Sequence, residues 1–288
     1  MAADAIMARG QQNTRCSSDA VGPLVMAVTP PILRVCGVTV RFGGIVALDA
    51  VDFDVPAASV FGMIGPNGAG KTTMFNCISR LYAYQSGDII FEGASITATP
   101  THRIAGLGLG RTFQNLAMFK TMSVRQNVMV GGHTRSRAGF LASALRLAGV
   151  AAEERRLRER ANDVLDFLEL GTVADRPVGD LPFATQKRVE LARALACEPR
   201  LLMLDEPAAG LNHEELGALA RLIRDIRDRL GVTVLLVEHH MGLVMDVSDR
   251  IVVLNFGRKI AEGAPQEIQR NATVIQAYLG TPARARAA

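Results

Sequence analysis

Residues 65 to 72 read GPNGAGKT, a glycine-rich turn that ends in lysine and threonine. The spacing G-x-x-x-x-G-K-[ST] is that of a loop built to hold phosphate. Gly65, Gly68 and Gly70 let the backbone turn tightly and aim its N–H groups inward at phosphate oxygens. Lys71 adds a point charge for the β- and γ-phosphates, and Thr72 offers a hydroxyl to Mg2+. Pro66, Asn67, Ala69 and Thr73 complete the nucleotide-binding segment. The flanks fit this chemistry. Val60–Ile64 is a short apolar run of strand type, and TTMFNCISRLY after Lys71 reads as a helix. A helix N-terminus is itself an anion site, because its free N–H groups and its dipole face the ligand.

A second segment carries paired carboxylates. LLMLDEP at 201–207 puts Asp205 and Glu206 at the end of an apolar strand. Such strand ends face the ligand crevice of an open α/β sheet. Asp205 is expected to hold Mg2+, directly or through water, and Glu206 to polarise the attacking water as general base. His239 follows the next apolar strand in VLLVEHHM, where it would reach the γ-phosphate, while His240 beside it is read as structural. Gln114, in RTFQN, is placed to reach the metal or the attacking water.

The elements that must position these groups alternate. From Ile32 the chain reads ILRVCGVTVRF, a glycine pair at 43–44, then VALDAVDFDV, which suggests antiparallel strands. SGDIIFEG at 86–93 reads as turn, strand, turn. Between about 115 and 190 arginine, alanine and leucine recur at helical spacing. After 200 come a buried strand, a helix capped at Asn212, a second buried strand in VTVLLVE, and a hairpin turning near Asn255–Gly257. Strand alternating with helix predicts an α/β core with a mostly parallel sheet. The helical block lies between two halves of that core and is read as an inserted lobe. Residues 1 to about 30 lack periodic pattern and read as disordered, or as an extension upstream of a start at Met26.

The bulk properties narrow the class. The chain has 288 residues, 49% hydrophobic and 21% charged, as in globular proteins. Its net charge is +4, drawn partly from Arg284, Arg286 and the run EERRLRER at 153–160, which reads as a solvated helix face. There is no tryptophan, only three tyrosines and no aromatic-basic stripe, so no nucleic-acid partner is expected. Cys16, Cys36, Cys77 and Cys197 match no zinc pattern or disulfide framework, which fits a reducing cytoplasm. The most apolar stretch, FLASALRLAGVAA at 140–152, is too short to span a bilayer and contains Arg146.

In this order the segments resemble the ATP-binding cassette family over residues about 32–280. The resemblance implies a P-loop NTPase fold with a RecA-like core, an antiparallel β subdomain and a helical subdomain inserted at about 115–190. It implies ATP and Mg2+ as cofactors, and it places Phe42, in VRFGG, where such cassettes stack an aromatic ring on adenine. It also marks a departure. The family's signature is LSGGQ or a close variant, whereas this chain reads Leu181-Pro182-Phe183-Ala184-Thr185. Pro182 removes a hydroxyl and a backbone N–H, although a proline in the first turn is tolerated by the helix, and Ala184 adds a methyl.

The ending GRKIAEGAPQEIQRNATVIQAYLG at 257–280 resembles ATPase subunits of branched-chain amino acid importers, the LivG-like type. So do RFGGIVALDAVDF at 41–53, GRTFQNLAMFKTMSVRQNVMVG at 110–131 and LMLDEPAAGLNHEE at 202–215. That branch implies two membrane permeases, a second cassette (a different chain or a second copy of this one) and, indirectly, a periplasmic binding protein. It implies a peripheral location on the cytoplasmic face of the bacterial inner membrane. Two other readings share the motifs: an export or lipid-transport cassette, and a soluble cassette that uses ATP as a conformational switch.

Overall fold

The computed structural model describes residues 30–112, 118–133 and 148–279. Gln114, most of the 140–152 stretch, the N-terminal segment and the tail at 281–288 lie outside them. The described residues begin with two long strands, β1 (Leu33–Phe42) and β2 (Ile45–Val55), joined by a glycine turn. They pair antiparallel with β4 (Ser86–Phe91) and β5 (Ala94–Ser95) in a four-stranded sheet of order β2-β1-β4-β5. Inward positions Val35, Val38, Val40, Leu48, Val51 and Phe53 are buried, as the alternation predicts.

The second sheet has six strands in the order β10-β9-β3-β8-β7-β6. Its centre is parallel: β3 (Val60–Ile64), β6 (Leu109–Arg111), β7 (Leu201–Asp205), β8 (Thr233–Val237) and β9 (Arg250–Asn255). β10 (Arg258–Gly263) returns antiparallel as the predicted hairpin. Every residue of β3, β7 and β8 is buried, because layers cover both faces of this sheet. Alternate side chains feed two cores. Phe61, Met63, Met203 and Leu235 pack with the antiparallel sheet and with α1 (Lys71–Ile78). Val60, Ile64, Leu204 and Leu236 pack toward the other helices.

The remaining helices, in chain order, are the short α2 (Thr101–Ile104), whose Ile104 joins the first core, and α3 (Val124–Gly132), α4 (Ala148–Phe167) and α5 (Phe183–Leu195). Then come α6 (His213–Leu230), α7 (Met241–Val247), α8 (Pro265–Arg270) and α9 (Ala272–Leu279). α3 packs on α4 and α5. The run at 153–160 lies on α4 with most of its side chains exposed. α6 is capped as the sequence predicts. The Glu215 N–H donates to Asn212 Oδ1 at 3.0 Å, and the Asn212 N–H donates to Glu215 Oε2 at 2.8 Å. Among the described residues no helix is long and apolar enough to cross a membrane.

Candidate functional site

Register assembles the site. Asp205 pairs with Val237 across β7 and β8, and Met63 pairs with Val237 across β3 and β8. The three strands therefore end together, and their outgoing segments meet at a single edge of the sheet. After β3 comes the glycine loop, after β7 Glu206, after β8 Glu238 and His239.

The loop needs its glycines. Gly65 has φ 155, and a Cβ there would lie 2.1 Å from the Leu254 carbonyl oxygen. Gly70, with φ 102, caps α1, and a Cβ would meet the Ala47 carbonyl oxygen at 2.8 Å. Lys71 opens α1 and is only 8% exposed. Its ammonium donates to the carbonyls of Gly65 at 2.7 Å and Pro66 at 3.0 Å. Burial lowers the Lys71 pKa, while the negative fields of Glu206 and Asp205 oppose that fall. Thr72 is exposed at the mouth of the loop, with Thr73 beside it half-buried. Behind the loop stands α9. There burial pushes the Tyr278 pKa up to about 12, and the Gly65 backbone opposes that rise.

Asp205 is 4% exposed. Burial raises its pKa, and the adjacent Arg111 guanidinium opposes that rise. Arg111 donates from Nη2 to Asp205 Oδ2 at 3.0 Å, and from Nη1 to Asn76 Oδ1 at 2.8 Å and Ser79 Oγ at 3.0 Å. One guanidinium thus joins the strand-end carboxylate to α1. Glu206 leaves the strand with φ 50, a left-handed conformation that costs a residue with a side chain on the order of 1–2 kcal/mol. That turn brings its carboxylate to 3.9 Å from His239 Nδ1. His239 is 61% exposed, open to whatever occupies the crevice.

Phe42 ends β1, half-exposed, with its ring edge-on to Tyr82 at 5.3 Å between centroids. The same sheet brings Ala47 and Leu48 against Gly70, two and three residues beyond Ile45, the strand partner of Phe42. The Leu181–Thr185 segment starts α5. Pro182 occupies the N-cap rather than the first turn and supplies no side-chain cap. The Phe183 ring sits against Gly210, in the loop that follows Glu206.

The structure therefore brings together Gly65 to Thr73, Asp205, Glu206 and His239. His240 caps α7, where its Nδ1 accepts from the Leu243 N–H at 3.3 Å, as its structural reading expects. Two contributors were not singled out from sequence, Arg111 and Glu238. Each carries a signal in hindsight: a charge ending a short strand otherwise made of Leu109 and Gly110, and an acid placed directly after the four apolar residues Val234 to Val237. Among the described residues no three His, Cys, Asp or Glu side chains cluster as a metal site.

Comparison with known proteins agrees with this geometry. The family model described as ABC transporter matches residues 48–209, and the model described as Branched-chain amino acid ATP-binding cassette transporter matches 258–284. The chain is 46% identical to the high-affinity branched-chain amino acid transport ATP-binding protein BraF of Pseudomonas aeruginosa, over 87% of this chain and 98% of that one. It is 39% identical to the corresponding protein LivG of Escherichia coli K12, over 88% of this chain and 99% of that one. A crystal structure of an ATP-binding cassette of an ABC transporter in its ADP conformation superposes with TM-score 0.76 at 31% identity, covering 88% of this chain and all of that one (100%). A loop for phosphate, a strand-end acid pair and a histidine facing it, in a cassette fold shared over the full length of such relatives, settle the family: this chain is an ATP-binding ATPase of the ABC transporter family, in the branch of the branched-chain amino acid transport ATP-binding proteins.

Proposed function

We propose that this chain drives import of branched-chain or related amino acids by hydrolysing ATP on the cytoplasmic face of a bacterial inner membrane. The observation that carries the hydrolytic part is the 3.9 Å approach of His239 to Glu206 at the strand edge that bears the glycine loop. The importer part rests on identity to transport subunits over nearly their whole length.

The backbone N–H groups of residues 65–72 and the Lys71 ammonium hold the β- and γ-phosphates. Phe42 stacks on adenine. Glu206 takes the proton of the attacking water, and His239 hydrogen-bonds the γ-phosphate. Gln114, outside the described residues, serves the metal or the attacking water in this reading. The donor set fits Mg2+: the exposed Thr72 hydroxyl and one Asp205 oxygen suit a hard cation that takes its remaining ligands from phosphate and water. When bound, that ion neutralises charge on the phosphates.

Two cassettes close head to tail around two ATP molecules, each seated between one chain's loop and the other's signature. The segment Leu181–Thr185 then faces the partner's γ-phosphate, and Asn212 lies on the seam. The helical lobe at about 115–190 receives the loops of two permeases, which a periplasmic binding protein supplies with solute. A second, different cassette explains how Pro182 and Ala184 are tolerated, because one weak composite site need not stop the other.

Affinity purification of the chain from detergent-solubilised native membranes tests this reading. Two polytopic permeases and a second cassette should co-purify. Recovery alone, or with cytosolic partners only, would overturn the importer reading.

A further inference from the structure

Glu238 is a carboxylate with no exposure to solvent, wedged between the two segments that carry the reacting groups. Its Oε1 accepts from the Ala208 N–H at 2.7 Å. Its Oε2 accepts from the N–H groups of His239 at 2.9 Å and His240 at 3.1 Å. His239 Nδ1 lies 3.8 Å from the same oxygen and 3.9 Å from Glu206 Oε2. Ala208 belongs to the loop that leaves Glu206, passes Gly210 under the Phe183 ring, and enters α6 at Asn212. One buried side chain therefore bonds the Glu206–Asn212 loop with one oxygen and the His239 turn with the other.

Resting on the hydrolytic reading above, we infer that Glu238 is a positioning residue: it clamps the Glu206–Asn212 loop to the His239 turn, so that a shift of that loop moves His239. An acceptor-only group is required. Three N–H donors converge on two oxygens, and an ionised carboxylate offers acceptor sites to all of them. A glutamine has one acceptor oxygen. Whichever way its amide faces, its NH2 confronts either Ala208 or the pair His239 and His240, and one half of the clamp opens. The carboxylate is fully buried, with no surface open to the crevice. It acts through the backbone it holds.

The test is the full-length chain carrying Glu238→Gln, His239→Ala, or both, assayed with its co-purifying partners for ATP hydrolysis and for binding of a fluorescent ATP analogue. Glu238→Gln should lower kcat at least tenfold while analogue affinity stays within about twofold. In the His239→Ala background the same change should cost less than twofold, because groups that act as one unit are not additive. Unchanged kcat in Glu238→Gln, or a full tenfold loss in both backgrounds, would overturn the inference. Amide hydrogen exchange on the wild-type chain decides the matter if Glu238→Gln does not fold. The Ala208, His239 and His240 N–H groups should be protected, and exchange at the rate of open loops would remove the clamp. Failure of the hydrolytic reading itself looks different: His239→Ala alone would then leave kcat unchanged.

Discussion

Arg111 Nη2 lies 3.0 Å from Asp205 Oδ2, in a pair so enclosed that the side chains are 11% and 4% exposed. The link spans 94 positions of sequence and joins the strand before the Gln114 segment to the acid expected to face Mg2+. Breaking a buried pair by removing one partner leaves an uncompensated charge and costs about 3 kcal/mol or more. Arg111→Met should lower thermal stability by that order and weaken Mg2+-dependent nucleotide binding. Arg111→Lys should lie between, because an ammonium lacks the planar fork that reaches Asp205, Asn76 and Ser79 together. Thermal melts with and without Mg-ATP check both.

The glycines of the phosphate loop are not equivalent. At Gly65 a methyl would meet backbone oxygen at 2.1 Å, and nothing there can move aside cheaply. At Gly68, with φ 78, nothing lies within 4 Å. Gly68→Ala should therefore cost only the left-handed backbone penalty, about 1–2 kcal/mol. Gly65→Ala should cost clearly more and abolish ATP binding. Equal losses in a denaturation series would refute the distinction.

Asn127 is fully buried and serves the turn that follows the Gln114 segment. Its Oδ1 accepts from the Phe119 N–H at 3.0 Å, and its Nδ2 donates to the carbonyls of Phe119 and Ser123 at 3.0 Å and of Met122 at 3.3 Å. Asn127→Leu strands several backbone groups and should cost about 2 kcal/mol. Cleavage by a protease near 113–123 should speed up, while affinity for ATP stays close to wild type.

Cys77 lies in α1, and burial pushes its thiol from 9.0 up to about 11. A raised thiol favours the protonated folded state. That contribution is fully present below pH 9.0 and is lost as pH rises through about 11. The thiolate is the reactive form, so Cys77 should resist iodoacetamide at pH 8 until the chain unfolds. Peptide mapping after labelling checks it, and rapid modification of the folded chain would contradict the packing of α1.

Much of the core was legible because its signals are local. The glycine loop, the alternation of β1 and β2, the apolar runs of β3, β7 and β8, and the Asn212 cap each lie within a dozen residues. Asp205, Glu206 and His239 were found because strand ends of a parallel sheet converge, whatever the exact register. Arg111 and Glu238 were missed for the opposite reason. The partners that tie them to the site, Asp205 and Ala208, lie 94 and 30 positions away, and the register of β6, β7 and β8 brings them into contact. The place of Pro182 depended on where α5 begins. One residue separates a first-turn proline from an N-cap, and sequence pattern does not resolve helix ends that finely.

Glu206 is proposed as the base that acts beside His239, 3.9 Å away. The measurement that tests it most directly is single-turnover hydrolysis by the Glu206→Gln chain, assembled with its partners and loaded with Mg-ATP. The loop, Lys71 and Asp205 remain, so ATP should bind with near wild-type affinity and stay intact, with hydrolysis slowed on the order of a hundredfold or more. Hydrolysis at the wild-type rate would remove Glu206 from this role.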